Sequence, residues 1–235
     1  MVDKVAVVVG IGHGLGGAIA ARFAREGYAV AGLARNTTAL TSIEEDINAA
    51  GGRLELFATD TTDASALAAS MQQVRSSLGT PEVAVYNAGS FKIAPVLEVS
   101  PEEFEQNWKV NCHGAFLLAR EVIPAMVEAG RGSLLLTSAT AALRGSARFS
   151  CLAVGKFGLR ALSQSLAREY GPAGVHVASV VVDGLINTQR VRDMFGEDGP
   201  RLQPDALAES YWQLHCQHPS AWTLEMDVRP SNEKF

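Results

Sequence analysis

The sequence predicts an α/β fold, a single doubly wound parallel sheet with helices on both faces. Three observations carry this. Short β-branched runs alternate with amphipathic stretches of helical length. A glycine-rich turn joins the first run to the first helix. No internal repeat, low-complexity tract or linker interrupts the 235 residues, so residues 1–235 read as one domain.

Element by element, Lys4 to Val9 (KVAVVV) is a strand whose composition suits burial on both faces; it opens into Gly10 to Gly17 and then a helix with Ile19 and Phe23 inward. Tyr28 to Leu33 reads as a strand, Thr38 to Ala50 as a helix, Arg53 to Thr59 as a strand, Ala64 to Leu78 as a helix and Val83 to Tyr86 as a strand. Ser100-Pro101-Glu102-Glu103 is a capping box with proline at the first helical position, and the spacing predicts one long helix from there to about Glu128, its last turn kinked at Pro124. Ser133 to Ser138, Leu152 to Tyr170 and Val175 to Val182 follow as strand, helix and strand. The tail carries a helix over Asp205 to Cys216 and a final strand over Trp222 to Val228.

Composition narrows the function classes. Hydrophobic residues make up 47% and charged residues 19%, and the formal net charge of −5 with no long basic run argues against a nucleic-acid partner while leaving room for a small anionic ligand. Cys112, Cys151 and Cys216 are odd in number and widely spaced, which predicts neither a disulfide framework nor a metal site and fits the cytoplasm. The apolar stretch from Val5 to Phe23 is broken by glycines and a histidine and is followed by Arg25, so it predicts no membrane span.

The chemistry starts at Gly10, Gly14 and Gly16 in GIGHGLG. Here a turn between strand and helix presents loop amides, with His13 and Leu15 inside it, and a helix dipole to a pyrophosphate. Together with Asn87-Ala88-Gly89, Asn111 and Lys156, this spacing resembles the short-chain dehydrogenase/reductase family over nearly the whole chain. The resemblance implies a single Rossmann-type domain with a sheet of about seven strands and hydride transfer between NAD(P)(H) and a small-molecule alcohol or carbonyl. It implies a homodimer or homotetramer, with a variable substrate and oligomer region over about 185–235 that offers Trp212, Trp222, Met194 and Phe195.

Carried over by position, Asp60 with Thr61 beside it matches the acid near the adenine, and Asn87, Ala88 and Gly89 match the nicotinamide-ribose side. Asn111 matches the asparagine that orders a water relay, and Lys156 the lysine that bonds the nicotinamide ribose. Gly184, Ile186 and Thr188 in DGLINT resemble the segment that holds the carboxamide, with Asp183 in place of the usual proline. At the end of the second strand no acid is available for a ribose 2′-hydroxyl. Arg35 stands there instead and, with His13, favours NADP(H) over NAD(H); the alternative reads both as solvated polar residues.

The catalytic half departs from the family. Counting from Lys156, the proton-donating tyrosine becomes Leu152 and the serine becomes Ala139. Ser138, one residue early, reads either as the group polarising a carbonyl oxygen or as a strand-end hydrogen bond. As stand-ins for the acid, Tyr86, His113, Cys151 and Tyr211 read as packing residues before catalytic ones, Cys151 coming nearest to a substitute. Tyr170 lies about 21 Å from Lys156 along the same helix, too far to substitute. Two functions follow: an NADP(H)-dependent oxidoreductase, or an NADP(H)-binding protein without turnover.

Overall fold

β1 (Lys4–Val9) shows why the chain builds a covered parallel sheet: Val5 to Val9 are all fully buried. Val5, Val7 and Val9 face one apolar layer and Ala6 and Val8 the other, as alternation along a strand requires. Burying each such valine contributes about 1.5–3 kcal/mol. The computed structural model describes residues 4–232; residues 1–3 and 233–235 of the expected domain lie outside the described residues.

Around β1 the sheet adds β2 (Tyr28–Ala34), β3 (Arg53–Ala58), β4 (Pro81–Tyr86), β5 (Gly132–Ala139), β6 (Val175–Val182) and β9 (Glu225–Val228). The order is β3-β2-β1-β4-β5-β6-β9, and every neighbouring pair is parallel. The strand order reverses between β1 and β4. A crevice opens at the carboxyl ends of the strands at such a switch point, where ligands of doubly wound sheets bind.

The two helical layers follow the strand alternation. Helices α3 (Ala64–Ser77), α5 (Gly114–Ala129) and α6 (Ser150–Tyr170) cover one face, through residues such as Met71, Leu118, Val122 and Leu159. On the other face lie α1 (Leu15–Arg25) and α8 (Pro204–His215), through Ile19, Phe23, Leu207 and Leu214. Phe23 meets Tyr28 and Trp212 edge-on at 5.5 and 5.4 Å, which ties α1, β2 and α8 together.

The predicted helix from Ser100 to Glu128 is corrected by the structure. The capping box is present, with Glu103 N donating to Ser100 Oγ at 3.1 Å and Ser100 N to Glu103 Oε2 at 3.0 Å. After α4 (Pro101–Trp108), however, a π-helical turn spans Lys109–His113 before α5 begins. Tyr86 is the cause: its buried hydroxyl donates to Val110 O at 2.6 Å and fills the space beside Gly114, where any Cβ would strike it. Pro124 lies inside α5, which continues to Ala129.

Other boundaries move by local effects. A 3₁₀ turn at Thr38–Leu40 precedes α2 (Thr41–Ala49), α6 starts at Ser150, and a turn at Pro219–Ala221 delays β9. A small parallel pair, β7 (Leu185–Ile186) with β8 (Arg201–Leu202), and the short α7 (Gln189–Phe195) between them were not foreseen; their runs are too brief for a periodic signal.

Candidate cofactor and substrate site

The first component of the site is a contact between two turns. Gly10 has φ +82°, and a Cβ there would stand 2.5 Å from Ala88 N. Glycine therefore lets the turn after β1 touch the Asn87-Ala88-Gly89 turn after β4. Asn87 secures that contact, donating from Nδ2 to Gly10 O at 3.0 Å and accepting at Oδ1 from Thr137 Oγ1 at 3.1 Å. Gly14 is approached from the opposite wall: a Cβ there would lie 2.8 Å from Thr188 Cγ2. The segment carrying Gly184, Ile186 and Thr188 thus reaches the glycine turn, with Thr188 Oγ1 capping α7 by accepting from Val191 N at 3.2 Å. Gly184 has φ +145° and abuts Pro230.

Helix α1 starts at Leu15 behind Gly14, with no side-chain cap and no acid in its first turn. Its first-turn amides, that of Gly16 among them, therefore suit an anion.

A cleft of about 480 Å³ runs from this turn across the strand ends and is lined by Gly10, Arg35, Asn36, Asp60, Thr61, Asn87, Ala88 and Gly89, among others. Asp60 accepts from Thr62 N at 2.9 Å and Thr62 Oγ1 at 2.8 Å; these bonds, with Arg35 nearby, hold its carboxyl below the usual range. It is therefore an ionised acceptor at neutral pH. Arg35 follows β2 directly and is exposed. His13 Nε2 donates to Ala39 O at 2.9 Å, clipping the glycine turn to the segment after Arg35. Glycine amides at one end, a carboxylate and a cation along the wall, and hydrogen-bonding groups on the floor together fit a dinucleotide.

Asn111 and Lys156 stand behind this floor, buried and close to one another's neighbours. The π turn directs Asn111 inward, where Nδ2 donates to Ser90 O at 2.6 Å and Asn107 O at 2.9 Å, and Oδ1 accepts from Ser90 N at 3.4 Å. Lys156 Nζ donates to Thr137 O at 2.7 Å. Burial brings its ammonium down to about 8, with Cys112 opposing the shift. Gly89 joins them, since a Cβ on it would be 3.5 Å from Asn111 Oδ1 and 4.0 Å from Lys156 Nζ.

A second cleft, of about 320 Å³, is lined by Ala139, Thr140, Arg144, Ser146, Phe149, Leu152, Asp183 and Gly184, among others. Leu152 and Ala139 thus stand together on its wall, at the positions the spacing assigned to tyrosine and serine. Ser138 is not brought there. Alternation along β5 turns it to the other side, where it is 2% exposed with no hydrogen-bond partner for Oγ among the described residues. A one-residue slip into the cleft does not occur because β5 and β6 stay in register through Ala139↔Val182.

The remaining candidates are packing groups. The Tyr86 and Tyr211 phenols are raised far above their ordinary value by burial; Tyr86 bonds Val110 O, and Tyr211 bonds Thr137 Oγ1 at 2.7 Å. His113 stacks between Trp108 and Phe116, and Cys151 is fully buried. Sequence reasoning assigned no role to Thr140, Arg144 and Ser146 in the second cleft, since single polar residues in a loop carry no pattern.

Similarity to known proteins agrees with this geometry. A family model described as short chain dehydrogenase matches residues 4–198. The D-threitol dehydrogenase of Mycolicibacterium smegmatis is 30% identical over 177 residues, covering 75% of this chain and 68% of that protein. A short-chain dehydrogenase structure from Rhodopseudomonas palustris is 34% identical with a TM-score of 0.84 over 98% of this chain and 99% of that one. A metagenomic short-chain oxidoreductase in complex with NADP is 30% identical with a TM-score of 0.85, covering 99% of each chain. On fold, glycine turn and sequence alike, this chain belongs to the short-chain dehydrogenase/reductase family of oxidoreductases.

Proposed function

We propose that the protein is an NADP(H)-dependent oxidoreductase acting on a small-molecule carbonyl or alcohol. The observation that carries this is the joining of Gly89, Asn111 and Lys156 behind a cleft edged by the glycine turn and Arg35. The bound nucleotide supplies or accepts the hydride. The chain does the rest: Asp60 and Thr61 hold the adenosine end, the glycine turn and α1 the pyrophosphate, Lys156 the ribose, and Thr188 with Gly184 and Ile186 the carboxamide side. Arg35 next to Asn36, with no acid at the end of β2, supports a 2′-phosphate; NAD(H) is the alternative cofactor. The NADP bound to the metagenomic relative supports the same choice.

Leu152 on the wall of the second cleft favours a second reading, an NADP(H)-binding protein without turnover. Fluorescence titration with NADPH and NADH, followed by a screen of carbonyls with NADPH and alcohols with NADP⁺, separates the two. NADPH-selective binding with turnover supports the oxidoreductase; binding without turnover supports the second reading; no binding of either nucleotide overturns both.

We also propose that a second copy covers the exposed apolar faces of Trp108, Phe116 and Phe157 in a homodimer or homotetramer. Sedimentation at the 24.9 kDa monomer mass would overturn this. The free Cys112, Cys151 and Cys216 support a reducing compartment such as the cytoplasm, and no described helix is long and apolar enough to cross a membrane.

A further inference from the structure

We propose that Thr140 and Asp183 form a proton relay that serves alcohol oxidation in place of the absent phenol; this rests on the oxidoreductase reading. Both residues leave the carboxyl ends of adjacent strands. Ala139 of β5 pairs with Val182 of β6, so the residues that follow, Thr140 and Asp183, emerge side by side. Thr140 Oγ1 donates to Asp183 Oδ1, and both line the cleft that contains Leu152.

Asp183 is the one carboxylate lining this cleft among the described residues. Leu152, Ala139, Phe149 and Val182 have no labile side-chain proton, Ser146 and Thr140 are hydroxyls, and Arg144 has donors but no acceptor. Asp183 is held in place, its amide donating to Val228 O at 2.9 Å and its Oδ2 lying 3.7 Å from Arg229 Nη1. Arg229 is also paired with Asp227, so its charge on Asp183 is shared.

The carbinol C–H bond breaks and its electron pair leaves as hydride to an oxidised nicotinamide nucleotide. The substrate O–H proton passes to Thr140 Oγ1 as the threonine's own proton passes to Asp183 Oδ1. The products are a carbonyl, the reduced nucleotide and a protonated Asp183 that returns its proton to water. Thr140 touches the substrate and Asp183 acts through it. A relay that ends on a carboxylate takes up the substrate proton, which is the direction of alcohol oxidation.

The test uses the full chain with NADP⁺ and a panel of secondary alcohols including butane-2,3-diol and cyclohexanol, with Leu152→Tyr in parallel and NADPH binding measured for every variant. The wild type is expected to oxidise at least one alcohol. Asp183→Asn and Thr140→Val should each lower kcat on the order of 100-fold and leave NADPH affinity unchanged. Asp183→Glu should restore part of the rate. Without nucleotide, difference infrared spectra should show an Asp183 carboxylate band, absent in Asp183→Asn and shifted in Thr140→Val.

An unchanged rate in Asp183→Asn overturns the relay. So does a wild type that binds NADPH yet leaves every alcohol untouched, including any that Leu152→Tyr oxidises, and in that case the cofactor reading survives. A folded protein that binds neither nucleotide removes the relay and the oxidoreductase reading together.

Discussion

Lys156 is a cation with almost no water around it, and its energetics are set by that fact. Unfolded, the lysine protonates as pH falls below 10.5; folded, burial delays this to about 8. Between those values the unfolded chain binds more protons, so the fold loses stability as pH falls from 10.5 to 8, by a few kcal/mol in all. Lys156→Met should flatten that part of the stability profile in chemical denaturation. The proposed ribose contact has the opposite sense: it needs the ammonium, so the NADPH Kd should rise as pH climbs through 8, by up to about tenfold per unit. In Lys156→Met the Kd should be weaker throughout and independent of pH in this range.

Two further residues define single-site tests. Arg35 is exposed, and its proposed pairing with a 2′-phosphate is screened by salt; Arg35→Ala should weaken NADPH about tenfold or more while leaving NADH nearly unchanged. Leu152→Tyr should raise NADPH-linked carbonyl reduction on the order of 100-fold. An unchanged rate with intact cofactor binding would count against an acid position that is merely vacant. These positions were legible because each is fixed by spacing from a glycine, a strand end or a lysine. Ser138 was not legible, because its role depends on which side of β5 it faces, and one residue of register decides that.

At the scale of elements, the π turn between α4 and α5 is the feature that places Asn111 at the site. It follows from Tyr86, whose hydroxyl takes up the space beside Gly114 and satisfies Val110 O. Gly114→Ala would push a Cβ into that hydroxyl and to 2.8 Å from Thr61 O, a destabilisation of about 1–3 kcal/mol. Tyr86→Phe leaves Val110 O without its buried donor and should cost about 1–2 kcal/mol. The double variant should cost less than the sum, because phenylalanine removes the atom the new Cβ strikes; full additivity in urea unfolding would reject the coupling. Strand and helix order could be read in advance, since β1, β5 and β6 are unbroken apolar runs and Ser100 begins a capping box. The π turn could not, because a tyrosine packing from another strand leaves no mark on the helix's own periodicity.

At the scale of the whole molecule, a ligand at the switch point of the sheet would join the turns that surround it. The glycine turn after β1, the Asn87-Ala88-Gly89 turn after β4 and the Gly184–Thr188 segment after β6 all converge there. A nucleotide that bridges all three binds the folded chain and not the unfolded one, so its binding free energy adds directly to stability. At a hundred times its Kd, NADPH should stabilise the protein by about 2.7 kcal/mol. For a chain of this size that corresponds to a rise in Tm of roughly 5–10 °C. NADH at the same concentration should give a smaller rise, and the difference should disappear in Arg35→Ala, while Asp183→Asn, which lies in the second cleft, should keep the full NADPH shift. A thermal scan showing equal shifts with both nucleotides would reject the 2′-phosphate role of Arg35, and no shift with either would show that the converging turns hold no dinucleotide.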